Sequence, residues 1–324
     1  MENKALTCRI LFLGIALLAQ ACAHAQPATD AAYPSKPIRF IVGPGPDSLA
    51  RLFGQKLTEA WGQPVIVEQR GGGGGTISAE AVAKAAADGY TLLLATGTHT
   101  INPSLYKTSY DMVNDFTPVT LLGATPFVLT VHPSVPAASV GELIRLAKAK
   151  PGTLNYGSGG SGTPPHLATE LFKTLAGIDM VHVPYKTVAA AITDLVSGQL
   201  QVMFTVGPAG LPQIRAGRIR GLAVSTGKRS DFAPELPTIA ESGLAGYEVF
   251  GWNGVLATAG TPRPIIAKLH AAIVAAMKTP EVRERMAGFG FEPIGNTPDE
   301  FGEFVKTDIA RWAKVVKDSG AHID

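Results

Sequence analysis

Glycine-rich turns recur in this chain wherever a short apolar strand gives way to an amphipathic helix, and that repetition limits the folds open to it. Apolar segments run over 38–42, 65–67, 90–95, 127–131, 154–156, 180–183 and 200–204, and all but 90–95 are followed by a helical pattern. The paired helices run over 47–60, 76–86, 140–150, 165–176, 188–196 and 208–216, the first with Asp47 as its N-cap. Further strands are expected over 220–225 and 247–256, with an irregular Pro- and Gly-rich stretch between them. The tail reads as three helices, over 262–277, 281–289 and 299–318, each opened by a proline signal. Strand–helix alternation of this kind predicts an α/β fold built on parallel sheets.

Composition narrows the function classes. Net charge is +2, from 28 basic and 26 acidic residues, and no run of four Lys or Arg occurs, which argues against a nucleic-acid groove. Past the N-terminus no apolar stretch is long enough to span a bilayer. Residues 1–25 read as a secretory signal: Lys4 and Arg9 are followed by an apolar run over 10–19, and Ala23-His24-Ala25 sets cleavage after Ala25. An acylated Cys22 is the alternative, but Gln20 suits a lipoprotein signal poorly. Both cysteines, Cys8 and Cys22, fall inside this segment. Cleavage therefore removes disulfides, thiolate catalysis and Cys-bound metals together.

Four glycine loops stand at strand ends. They begin at Gly43-Pro44-Gly45-Pro46, Gly71, Gly97-Thr98-His99 and Gly157-Ser158-Gly159-Gly160-Ser161-Gly162-Thr163. In open α/β sheets ligands bind at the carboxyl ends of strands, where glycine admits close approach to backbone N–H groups and helix dipoles favour anions. Gly157-x-Gly159-x-x-Gly162 also fits the dinucleotide fingerprint, but Pro164-Pro165 opens the next helix and a secreted protein meets few nicotinamide cofactors. Catalysis has little support: there is no G-x-S-x-G elbow, no metal-ligand histidine spacing and no visible nucleophile–base pair. No cofactor or metal is expected. Trp61, Trp252 and Trp312 read as packing anchors.

A series of short motifs is more specific. Tyr33-Pro34-Ser35-Lys36-Pro37-Ile38-Arg39 opens it. Gly62-Gln63-Pro64-Val65, Asp88-Gly89-Tyr90-Thr91 and Ile101-Asn102-Pro103-Ser104-Leu105-Tyr106 follow. Leu154-Asn155-Tyr156, His166-Leu167-Ala168, His182-Val183-Pro184-Tyr185-Lys186, Glu235-Leu236-Pro237-Thr238 and Thr297-Pro298-Asp299-Glu300-Phe301 complete it. In this order, over about 33–324, they resemble the Bug/TctC family, the extracytoplasmic solute receptors of tripartite tricarboxylate transporters.

The resemblance implies a two-domain periplasmic binding protein of type II-like architecture, with a ligand cleft between its domains. Domain 1 maps to 33–125 plus 250–324 and domain 2 to 126–249. It implies a monomer without enzymatic activity that captures a small carboxylate and meets membrane permease subunits, or a sensor kinase in an orphan receptor. Carried onto this sequence, the first-domain contacts are Gly43, Pro44, Gly45, Asp47, Ser48, Gly97, Thr98 and His99. The second-domain contacts are Ser158, Gly159, Gly160, Ser161, Gly162, Thr163, His166, Tyr185 and Thr205. Two departures stand out. The first loop is shorter than the family's usual Gly-rich stretch, and Thr205 stands where many members carry an acid that can pair with a ligand amine. Both point away from an amino acid, to a plain carboxylate or to a larger, less polar one that uses the space left by the short loop.

Overall fold

A computed structural model describes residues 33–43 and 47–323. The leader and cleavage site expected over 1–25 lie outside the described residues. From Lys36 onward the chain forms one contact unit. Its elements, in order, are β1 (Ile38–Val42), α1 (Ser48–Trp61), β2 (Val65–Gln69), α2 (Thr76–Ala83), β3 (Thr91–Thr96), α3 (Gly97–Leu105) and β4 (Phe116–Val131). Then follow α4 (Val140–Ala149), β5 (Asn155–Ser158), α5 (Pro164–Ala176), β6 (Val181–Pro184), α6 (Val188–Ser197), β7 (Val202–Val206), α7 (Gly207–Arg215) and β8 (Arg220–Val224). The last are β9 (Phe250–Thr258), α8 (Arg263–Met277), α9 (Pro280–Gly288), β10 (Glu292–Pro293) and α10 (Pro298–Ser319).

The strands run in the order β2-β1-β3-β9-β4-β7-β5-β6, with β8 and β10 also paired to β4. The expectation of parallel sheets holds only in the wings, where β1 joins β2 and β3, and β5 joins β6 and β7. The centre is antiparallel: β9 pairs with β3 and β4, and β4 pairs with β7, β8 and β10. The reason is topological. β4 carries the chain from one wing into the other and β9 brings it back, so the two crossing strands run in opposite directions. Parallel wings suit the short βα units on either side, because a crossover helix must return the chain to the same end of the sheet.

β4 is 16 residues long, whereas the sequence marks only 127–131 as strand. Pro118 and Pro126 break the pattern read from its first part. They are tolerated because the pairing with β9 shifts register between Pro118 and Thr120, and Pro126 closes the ladder opposite Phe250. The segment at Gly97 was expected to be a loop but is the first turn of α3. Thr96 and His99 close a reciprocal capping box at its start. The tail helices match their proline signals, and Thr297 with Glu300 caps α10 in the same reciprocal way. Asp47 occupies the N-cap position of α1 but its side chain makes no cap bond; it pairs with Arg51 Nη2 at 2.7 Å instead.

Two apolar cores back the sheet. One gathers Phe127, Leu129, Tyr156, Phe172, Phe204, Tyr247 and Trp312. The other gathers Ile41, Leu93, Leu121, Trp252, Leu256 and Phe301. Trp252 and Trp312 are buried anchors, as expected. In the second core the ring of Phe301 lies over Gly254 of β9, where a Cβ would stand 2.2 Å from its Cζ. Phe301 is fully buried and cannot swing away. Gly254→Ala is therefore expected to lower stability by about 1–3 kcal/mol, the usual cost of overpacking. Urea denaturation will read this, and adding Phe301→Leu should return part of the loss.

Candidate functional site

The strand–helix junctions meet from both wings. Gly97, at the head of α3, lies so close to Pro164, at the head of α5, that a Cβ on Gly97 would contact the proline Cγ at 3.6 Å and Trp252 Nε1 at 3.4 Å. A Cβ on Gly162 would fall 2.5 Å from Leu105 Cδ1, at the far end of α3. Glycine is required at 162 a second time, because its φ is +75°. The Gly97–His99 and Ser158–Thr163 segments are thus brought together, with the start of α5 packed against both ends of α3.

The first wing contributes Gly43, Thr98 and His99. A Cβ on Gly43 would meet Ser78 Oγ at 2.8 Å, so this glycine makes room for the hydroxyl that neighbours the His99 ring. His99 is 1 % exposed. Its Nδ1 accepts from Thr96 N at 3.0 Å, and its Nε2 lies 3.3 Å from Ser78 Oγ. Burial pushes its pKa down to about 4. Both ring nitrogens work inside the protein, so His99 shapes the head of α3. Thr98 and Ser48 are half-buried. Pro44 and Gly45 lie outside the described residues.

The second wing builds its turn from internal hydrogen bonds. Ser158 Oγ accepts from Gly160 N at 3.1 Å and lies 2.7 Å from His182 Nε2. Thr163 Oγ1 donates to Gly160 O at 2.7 Å, and Gly162 N donates to His166 Nδ1 at 3.0 Å. A Cβ on Gly159 would meet Val188 Cγ2 at 2.9 Å, which packs the turn against α6. The Tyr185 hydroxyl donates to Asp194 Oδ2 at 2.6 Å, and burial with that bond raises its pKa to about 12. Thr205 is buried beneath Gly210 and donates to Val128 O at 3.3 Å. The amides of Gly160 and Gly162, expected to face a ligand, are therefore engaged within the turn. Ser161 sits at its tip and is half-buried.

His182 was not among the expected site residues, yet it holds Ser158. The signal was present: β5 and β6 are neighbouring parallel strands, and their register sets His182 beside Tyr156. A serine hydroxyl and an imidazole thus do meet, contrary to the sequence reading. The serine is fully buried and its oxygen is already bound to Gly160. Among the described residues no group of three or more His, Cys, Asp or Glu could hold a metal ion.

A buried carboxylate supports the opposite loop. Asp308 Oδ2 accepts from Thr100 Oγ1 at 2.6 Å and from Trp252 Nε1 at 3.1 Å. Thr100 Oγ1 also lies 2.8 Å from Gly97 O. Desolvation raises the Asp308 pKa, while these donors work against that rise. Removing one partner leaves buried polar atoms unmatched, so Asp308→Ala should cost about 3 kcal/mol or more. Asp308→Asn should cost less, since Asn Oδ1 can still accept from Thr100. Thermal melts of both variants check this ordering.

The two buried histidines also set a pH dependence. His166 is pushed down to about 3, first by burial and then by the charges of His182, Lys173 and His322. An unfolded histidine binds its proton near pH 6.5, whereas the native rings stay neutral until about pH 4 and 3. Their contribution is therefore complete above pH 6.5 and declines as pH falls. The expected slope is about 1.4 kcal/mol per pH unit for each ring. Glu68, held down to about 2 by Arg39, adds its own loss only below its ordinary value of 4.5. Urea melts between pH 6.5 and 4.5 thus isolate the histidines, and His99→Asn should flatten the slope.

Comparison with known proteins gives the family and the fold. Residues 49–321 match the family described as tripartite tricarboxylate transporter family receptor. BugT of Bordetella pertussis is 36% identical over 306 residues, covering 92% of this chain and 94% of that protein. The structure of R. palustris Rpa4515 with adipate superposes with a TM-score of 0.78 at 38% identity, covering 90% of this chain and all of that one. Rhodopseudomonas palustris MatC with bound malate gives 0.74 at 32% identity, over 88% of this chain and all of that one. The periplasmic binding protein BugD gives 0.75 at 31% identity, with 90% and 100% coverage. Members of this family are solute-binding receptors rather than enzymes, and the chain belongs to it: it is a receptor of the tripartite tricarboxylate transporter family.

Proposed function

We propose that this receptor captures a small plain carboxylate in a periplasmic cleft and presents it to the membrane permease subunits of a tripartite transporter. The cleft lies between domain 1, residues 33–125 plus 250–324, and domain 2, residues 126–249. One observation carries the reading: the N-termini of α3 and α5 converge at the strand ends, with Gly97 against Pro164. Two positive dipole ends attract an anion, each worth about 0.3–1 kcal/mol, without a cationic side chain. Ser48, Thr98, Ser161 and the edges of the Ser158–Thr163 turn are the contacts we assign, with His99, His166, Tyr185 and Thr205 shaping the walls.

The ligand class follows from the relatives and from one residue. Rpa4515 holds adipate and MatC holds malate, both dicarboxylates. Thr205 brings no charge to balance a ligand ammonium, and its hydroxyl is spent on Val128 O. A dicarboxylate without an amine is therefore preferred over an amino acid. Entry requires the two wings to part, and the bulged strand β4 with the start of β9 is the hinge we assign. The family's transport role favours permease subunits over a sensor kinase as the receiver. The receptor acts as a monomer released into the periplasm by cleavage after Ala25. Among the described residues no helix is long and apolar enough to cross a membrane.

The test is a thermal-shift screen of protein purified from the periplasm of an expression host, unfolded and refolded to strip bound solute. Adipate, malate, citrate, benzoate and aspartate form the panel. A ligand at about 100 times its Kd adds about 2.7 kcal/mol to the native state, a readily seen shift. A dicarboxylate should shift most. Aspartate shifting most overturns the plain-carboxylate reading, and a flat response to every acid overturns the carboxylate class itself. Mass spectrometry of the same sample should find Gln26 first; a lipid on Cys22 would replace the soluble assignment.

A further inference from the structure

Behind the Ser158–Thr163 turn three near-parallel rings pack together with His182 at the corner, so that Tyr156 and His166 are themselves 6.2 Å apart. Tyr156 faces His182 with centroids 4.8 Å apart and planes 20° from parallel, and His182 faces His166 at 3.9 Å and 13°. The first contact is dictated by the sheet, since Tyr156 and His182 are register partners on β5 and β6. The second comes from the opening turn of α5. The stack is tied at its base: the Tyr156 hydroxyl donates to Glu170 Oε1, and Lys173 Nζ reaches the same oxygen at 2.9 Å.

The two imidazoles do different work on one turn. His182 Nε2 lies 2.7 Å from Ser158 Oγ, and that oxygen accepts from Gly160 N at 3.1 Å. His166 Nδ1 accepts directly from Gly162 N at 3.0 Å. An accepting Nδ1 carries no proton, so His166 is the neutral Nε2–H tautomer. The stack therefore grips the turn at two amides two residues apart, once through a serine and once directly. These two glycines have φ of +125° and +75°, values open to glycine, whose free backbone gains a fixed position from such bonds. A phenyl ring would preserve the stacking but offer no atom to Ser158 or Gly162.

We propose that His182 and His166 are a pair of positioning residues that set the ligand-facing turn in register with the head of α3, and so set the affinity for the carboxylate. This rests on the receptor reading above, in which that turn is a wall of the cleft. Neither histidine needs to touch the ligand. Their role is to keep Gly160 and Gly162 drawn inward, which fixes where Ser161 and Gly159 stand relative to Gly97.

The test compares the wild-type receptor with His182→Phe, His166→Phe and Ser158→Ala. Adipate and malate binding is measured by calorimetry, apo stability by melting, and backbone amide exchange by NMR. The phenyl variants keep a flat ring in the stack, so the melting temperature should move little. Exchange of the Gly160 amide should quicken in His182→Phe and Ser158→Ala, and that of Gly162 in His166→Phe. Affinity for the wild type's preferred acid should fall about tenfold in each. Should a phenyl variant not fold, Ser158→Ala carries the comparison, because it removes only a hydroxyl. Unchanged exchange at both glycines overturns the proposal, as does unchanged affinity with quickened exchange. A wild type that binds neither acid instead overturns the dicarboxylate reading, and the amide exchange still decides whether the stack holds the turn.

Discussion

The antiparallel pairing of β4 with β9 is the constraint on which the rest of the molecule depends. β4 is long enough to pair with β9 along Phe116–Pro126 and with β7 along Phe127–Val131. One strand therefore belongs to both wings, and each wing can be a parallel βα sheet of its own. Parallel strands followed by helices place all their helix N-termini at one end. Because the wings share a central strand pair, a strand–helix junction of one lies beside a junction of the other. The meeting of Gly97 with Pro164 follows from that arrangement.

Such a site has few charged side chains to offer and must be built from backbone. That design has a physical cost, since turns with glycine at positive φ are not rigid by themselves. The protein answers by backing each loop with buried polar groups. Asp308 and Thr100 stand behind Gly97, and His182, Ser158 and His166 stand behind Gly160 and Gly162. In both places a hydroxyl links a buried titratable group to a loop backbone atom. Burial keeps His99 and His166 neutral, which lets them accept from N–H groups where imidazolium could not. Loop geometry in both places therefore rests on hydrogen bonds made inside the protein.

The short βα units were legible because their period is local: apolar runs of three to six residues, then 3.6-residue amphipathicity, then proline or glycine punctuation. The tail helices were legible for the same reason, down to Thr297 and Glu300. The first part of β4 and helix α3 were not. Pro118 and Pro126 argue against a strand until a bulge and a ladder end accommodate them. Gly97 and Pro103 argue against a helix until the Thr96–His99 box and packing on α10 hold it. In each case a contact distant in sequence overrode the local preference.

The candidate site divides along the same line. The glycine loops at strand ends, the serines and threonines around them and the order of short motifs were all written in the chain, and they were enough to point to a carboxylate receptor. What the residues alone left undecided was which of those groups face outward. Tertiary structure spends His99, His166, Tyr185 and Thr205 on internal partners and brings in His182 from a strand nearby in space. Sequence determined the elements and the kind of ligand-binding end they make, because periodicity and turn chemistry act over a few residues. Only the folded packing decided the hydrogen-bond partners, because those are set by strand register and by the close approach of two wings joined through β4.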